Sequence, residues 1–142
     1  NLGLMYANGD GVPEDDATAV MWYTKAAAQG NAGAQLNLGI MYSIGDGVPE
    51  DTGAALTLLA KSAAQGSANA QFALGFLYGS GDGVPEDNVI AYMWFNLAAA
   101  QGNEAAMGYK ASTAIEMTAA DVSKAQVLSR ECLSQNYQNC GY

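Results

Sequence analysis

Histidine is missing from all 142 residues, and with it go the commonest general base and the commonest zinc ligand. Cationic side chains are scarce: five lysines and arginines face 14 aspartates and glutamates, for a net charge of -9. Such a surface repels phosphate backbones and anionic headgroups, which argues against nucleic acid as a partner. No apolar run approaches the roughly 20 residues that a membrane span requires, so no membrane insertion is expected. The opening residues also lack the basic-then-apolar layout of a signal peptide. They read "NLGLMY", the middle of a repeat described below, so further sequence upstream is expected.

Catalysis has little to stand on. Serine, threonine and carboxylates are present, but no histidine can activate a nucleophile. The one serine set among glycines, "GSGDG" at Gly79, lies where sister copies read "SIGDG" and "ANGDG". We therefore expect no enzyme, no cofactor and no metal.

What is abundant is repetition. "GDGVPED" starts at Gly9, Gly45 and Gly81, 36 residues apart. At the same shift Leu2-Gly3 falls on Leu38-Gly39 and Leu74-Gly75, Tyr6 on Tyr42 and Tyr78, and "AAQG" recurs at Ala27, Ala63 and Ala99. Self-similarity at such a period marks a solenoid of stacked units. The acidic loop could be a metal site, a phosphate cradle or a corner between helices. Calcium needs about 6 to 8 oxygen ligands, and this loop places proline and valine where ligands would stand. It also lacks the lysine and hydroxyl of a phosphate-binding loop. The corner remains.

Each unit reads as two helices. Helix A, about 34–43 in the second copy, carries Ala34, Leu38 and Tyr42 on one face at helical spacing. Gly45 and Gly47 allow the positive φ of a helix end and a tight turn, and Val48 can tuck the loop onto the core. Pro49 presets the entry to helix B, where Glu50 and Asp51 can accept hydrogen bonds from its free N–H groups. Helix B continues to about Gln65, Gly66 ends it, and the next helix A is expected four residues later. A glycine inside a helix costs about 1 kcal/mol against alanine, yet Gly3, Gly39 and Gly75 hold the same mid-helix place. A cost met in every copy predicts a crossing too close for a Cβ. The pairs Trp22-Tyr23, Leu58-Leu59 and Trp94-Phe95 are expected to supply the bulk of the core between helices.

The pattern "AQxxLGxxYxxGxGVxxD" from Ala34, and "AxxWYxKAAxQG" over Ala19 to Gly30, resembles the Sel1-like repeat, a relative of the tetratricopeptide repeat. The likeness covers residues 1 to about 102 through nearly every position of the unit. It implies an all-α fold, a right-handed α-solenoid of antiparallel helix pairs whose A helices line a concave face, and a role in protein binding. Bacterial members include adaptors, regulators of surface polymer export, factors in host contact and proteins that neutralise toxins. The expected organisation is a partial first repeat over 1–33, a second over 34–69, a third over 70–102 and a helical cap over 103–142. The cap departs from the pattern. Lys110 and Ala111 replace the leucine and glycine, and Thr118 with Asp121 begins a further helix with a weak capping box, giving a polar hairpin that closes the array.

Positions that vary between copies point to function. Along helix A, Asn37 becomes Ala73 and Tyr109, while Leu4 in the first copy accompanies Ile40 and Phe76. If these face the concave wall, Leu4, Ile40 and Phe76 form an apolar strip of the kind that binds partners. The alternative is that they pack between neighbouring A helices. Ten of the 14 acidic residues lie in or beside the loops (Asp10, Glu14, Asp15, Asp16, Asp46, Glu50, Asp51, Asp82, Glu86 and Asp87). Stacked at constant rise they make one acidic edge, which either steers a basic partner or keeps the protein soluble. Self-association through the N-terminal end, at Leu2 and Tyr6, is a further possibility. Cys132 and Cys140 are placed to bond if the chain turns back after the last helix, which favours a periplasmic or secreted setting.

The functional expectation is a non-catalytic scaffold or adaptor in the bacterial envelope that presents a concave groove to a protein or peptide. The alternative is an inhibitor or immunity protein that neutralises a toxin enzyme.

Overall fold

The computed structural model describes residues 16–138 and Cys140. The first loop copy, with Asp10, Glu14 and Asp15, and the residues Leu2, Gly3, Leu4 and Tyr6 lie outside the described residues. Those described form seven helices and no strand: α1 Asp16–Ala28, α2 Ala32–Ile44, α3 Thr52–Ala64, α4 Ala68–Ser80, α5 Asn88–Ala100, α6 Glu104–Ile115 and α7 Ala119–Ser134. Helices α2, α4 and α6 are the A helices of the repeat, and α1, α3 and α5 the B helices. The chain divides into two compact units, one ending at Ser62 and the other beginning at Ala63.

In the first unit α1 packs on α2. Ala19, Tyr23 and Ala27 meet Ala34, Leu38 and Met41, with Tyr42, Val48 and Leu58 partly buried around them. Helix α2 begins two residues before the expected start because the Asn31 side chain accepts a hydrogen bond from the Ala34 N–H at 2.8 Å. The mid-helix glycine has the predicted cause. A Cβ on Gly39 would stand 2.9 Å from Leu59 Cγ, across the crossing with α3.

The loop is a corner. Gly45 adopts φ 70° and donates its N–H to the Met41 carbonyl, closing the helix in a conformation that glycine takes without penalty. Gly47 needs its missing side chain twice: its φ is 73°, and a Cβ would lie 2.8 Å from the Asp16 carbonyl oxygen. The Asp51 N–H then donates to the Tyr42 carbonyl at 2.9 Å, and its carboxylate accepts from the Ala54 N–H at 3.0 Å. Asp51 is therefore the cap of α3. Glu50, expected to share that task, instead lies with its Cβ over Gly45, and Pro49 precedes the helix by three residues because α3 starts only at Thr52.

In the second unit α5 packs against α4, α6 and α7, so Ala91 to Phe95 and Leu97 to Ala99 are all buried. This corrects the expectation for the paired residues. Neighbouring positions on a helix point about 100° apart, so a helix covered on one side buries one of the two. Tyr23 and Leu59 are buried whereas Trp22 and Leu58 are partly exposed, and only the more fully covered α5 buries both Trp94 and Phe95. Trp22 instead carries the Lys25 ammonium 4.9 Å from its ring centre. Gly75 repeats Gly39 with tighter geometry, since a Cβ there would stand 2.7 Å from the Phe95 ring.

The next A helices start at Ala68 and Glu104, two residues after Gly66 and Gly102 rather than four, because Ser67 and Asn103 serve as N-caps. Buried glutamines tie an A helix back to the end of the helix before it: Gln35 Nε2 donates to the Ala27 carbonyl at 3.3 Å and Gln71 Nε2 to the Ala63 carbonyl at 3.4 Å. Gln71 Oε1 in turn accepts from Gln101 Nε2 at 2.9 Å. In α6 the corresponding position is Met107, which is exposed.

Helices α6 and α7 form the terminal hairpin. Thr118 caps α7 as expected, its hydroxyl accepting from the Asp121 N–H at 3.1 Å. The hairpin is less polar than its sequence suggests, because Ile115 is 85% exposed and Val127 and Leu133 also face outward. Lys110 is half-buried and donates to Asn96 Oδ1 at 3.3 Å, which leaves no leucine-shaped gap in its position. After α7 two left-handed residues, Asn136 (φ 56°) and Tyr137 (φ 66°), turn the chain back. Gln138 Nε2 reaches the Ala64 carbonyl at 2.9 Å, and Cys140 bonds to Cys132 with Cα atoms 5.0 Å apart.

Candidate protein-binding site

The variable positions of helix A do not share one environment. In the first unit Ile40 is 39% exposed, whereas Asn37 is half-buried and its side chain hydrogen-bonds the Tyr23 hydroxyl. Burial is the larger influence on that phenol and raises its pKa; the Asn37 bond lowers it. Asn37 is thus engaged with the core rather than presented to a partner. In the second unit Ala73 is half-buried, while Phe76 and Tyr109 are 45% and 44% exposed. Leu4 lies outside the described residues.

Phe76 and Tyr109 come together. They belong to successive A helices, and their rings meet edge to face with centroids 5.9 Å apart. Beneath them Phe95 of α5 is buried, its ring 5.5 Å from Tyr109, and Phe72 packs 5.4 Å from Tyr109 on the other side. Here the side chains pack between adjacent A helices and still present nearly half their surface. They wall a cleft of about 190 Å³, with Phe95 also in its lining. Its rim is polar, formed by Ser80 at the end of α4, Asn88 at the start of α5, and Ser112, Thr113 and Glu116 at the end of α6. Gly79 also lines it, and a Cβ there would make only ordinary contacts, 3.4 Å to Ala91 Cβ and 4.0 Å to Phe95.

Phe95, Gly79, Asn88 and Glu116 were not legible as site residues. Phe95 falls in the core register shared with Tyr23 and Leu59, and Glu116 lies past the end of the repeat. The available signal was the replacement of Leu59 by an aromatic ring in the copy that also carries Phe76.

The acidic residues divide likewise. Asp51 and Asp87 are caps, the latter accepting from the Ile90 N–H at 3.0 Å. Asp87 also adds its charge to burial in raising the Tyr78 pKa. Asp82 and Glu86 are exposed.

Comparison with known proteins agrees with this architecture. The family model described as Sel1 repeat matches residues 1–31, 32–67 and 68–103. A Sel1 repeat protein from Oxalobacter formigenes is 35% identical, with a TM-score of 0.71 over 77% of this chain and 43% of its own. A protective antigen present in uropathogenic Escherichia coli strains, displaying an SLR fold, is 41% identical, with a TM-score of 0.76 over 94% of this chain and 29% of its own. The chain thus spans less than half the length of either. No curated protein matches it. Sel1 repeat proteins are generally protein-interaction scaffolds and typically non-catalytic. Three consecutive family matches, together with helix pairs cornered by "GDGVPED" and linked through buried glutamines, make this chain a member of the Sel1 repeat family.

Proposed function

We propose that this chain is a non-catalytic docking module for a protein or peptide in an oxidising compartment, the periplasm or the cell exterior, with its contact surface on the A helices. The observation that carries the reading is the pairing of Phe76 with Tyr109. Large apolar side chains that stay about half exposed around a cleft are the usual anchors of a protein interface. In the first unit Ile40 holds the same repeat position as Phe76 and is likewise exposed. The acidic excess supports steering of a basic partner. The Cys132–Cys140 disulfide supports the compartment. The repeat organisation favours an adaptor.

The test is affinity capture from envelope and cytosolic fractions, with the native chain and a Phe76→Glu, Ile40→Glu variant as parallel baits. Loss of one envelope protein from the variant, with its helical circular dichroism unchanged, is the expected result. Identical capture by both baits would remove the A helices as the contact surface.

A further inference from the structure

Resting on that reading, we propose that the cleft at Phe76 and Tyr109 is a pocket for a single arginine side chain of the partner. Apolar side chains alone would suit an aromatic slot, but the electrostatics of this one are one-sided. The acidic residue Glu116 is part of its lining. Two helices end at the cleft, α4 at Ser80 and α6 at Ile115, and the carbonyl end of a helix carries partial negative charge. One helix begins there, α5 at Asn88, but its positive end is already answered by the Asp87 carboxylate that caps it. The three cations of the second unit, Lys110, Lys124 and Arg130, are all absent from the lining. A cation entering the cleft therefore meets a carboxylate, two helix C-termini and two half-exposed aromatic rings. An aromatic face attracts a cation through its quadrupole.

Arginine fits better than lysine. Its guanidinium is planar, so it can lie against Phe76 or Tyr109 and still direct N–H groups sideways to Glu116 and the rim hydroxyls of Ser112 and Thr113. A lysine ammonium presents a compact, strongly hydrated point charge that would use the ring but gain less from a flat slot. An aliphatic anchor would bring Glu116 no opposite charge. The half-exposed cleft also suits a long side chain whose stem remains against the ring edges while its head reaches the rim.

The probe is the capped tripeptide acetyl-Gly-Arg-Gly-amide, titrated into the isotope-labelled full chain and followed by amide chemical shifts. The controls are the same peptide with citrulline, which keeps the planar head without its charge, and with leucine. Saturable shifts clustered at Phe76, Ser80, Tyr109 and Glu116 with the arginine peptide, and at least several-fold weaker ones with citrulline, are expected. Glu116→Gln should weaken the arginine peptide by roughly three- to fivefold, as befits a solvent-accessible ion pair. Phe76→Leu, which keeps an apolar wall without a π face, should weaken it by a similar factor. Equal binding of arginine and citrulline peptides would overturn the proposal, as would absence of clustered shifts with arginine. Preferential binding of the leucine peptide would also overturn it while leaving the docking function intact, because the cleft would then hold an apolar anchor. Failure of the docking function itself would show separately, as unchanged capture by the A-helix variant.

Discussion

The second and third copies of the repeat share a corner, a cap and a mid-helix glycine, and differ in what lies beneath that glycine. Under Gly39 sits Leu59, whose branched tip yields to its neighbours. Under Gly75 sits the flat ring of Phe95, closer by two tenths of an ångström. The leucine is fully buried beneath its glycine. The phenylalanine stacks onward to Phe72 and Tyr109 and ends as the floor of a cleft. The repeated residues thus specify the helix pair, and one exchange in the core position gives the third copy an aromatic wall to its cleft.

Removing the two side chains separately gives the largest effects. Phe95→Ala should cost about 4 kcal/mol and Leu59→Ala about 3 kcal/mol, read as shifts in the urea midpoint. The first should also remove the Phe95 ring from its contacts with Tyr109 and Phe72 and weaken the near-ultraviolet dichroism of that cluster. The exchange Phe95→Leu sharpens the point: it should lower stability by only about 1 kcal/mol yet remove the cleft floor. If Phe95→Leu left the cleft resonances unmoved, the distinction drawn between the two copies would fail.

The second unit alone carries the disulfide, and its closure shortens the unfolded chain's freedom. Cys132→Ser should cost about 2 kcal/mol and free the tail, detectable as faster amide exchange at Ala64 and Tyr137. The caps, by contrast, should be equal in the two copies. Asp51→Ala and Asp87→Ala should each cost about 1 kcal/mol, while the asparagine variants should retain most of it. A large inequality between them would show that the corners are not equivalent.

The smallest effect separates the copies by pH. Tyr23 in the first unit and Tyr78 in the second both hold their protons longer than an ordinary tyrosine, chiefly through burial. With a folded pKa above the unfolded value, each contributes stability that is whole below about pH 10 and drains away as the pH climbs through the raised value. Phenolate absorbance should therefore lag behind that of the unfolded chain. Asp87→Asn should move Tyr78 toward ordinary behaviour and leave Tyr23 unchanged, because the Asp87 charge is the second cause of the Tyr78 shift and plays no part in the other.

Much of this was readable from the residues alone, where the cause is local or repeated. The helix pairs, the glycine crossings, Asp51 as a cap and the return of Cys140 to Cys132 all follow from spacing and turn chemistry. The N-caps Asn31, Ser67 and Asn103 escaped notice because the "AAQG" end before them looked like a complete stop, although a polar residue recurs there every 36 positions. The cleft escaped for a deeper reason. Phe76, Asn88, Phe95, Tyr109 and Glu116 are distant in sequence and come from three helices and the turn after the last of them, so no one-dimensional period brings them together.

The glutamines bear on how long such an array is. Gln35 and Gln71 are hooks, each adding a side-chain donor to a carbonyl at the end of the preceding helix that the glycine N–H after that helix also holds. Met107 has no hook to give. In the language of polymers α6 is an end-group: the monomer is recognisable, but the functional atom that continues the chain has been exchanged for an inert one. A repeat copied from residues 68–103 and inserted ahead of α6 would bring with it the glutamine that reaches back to the helix before it.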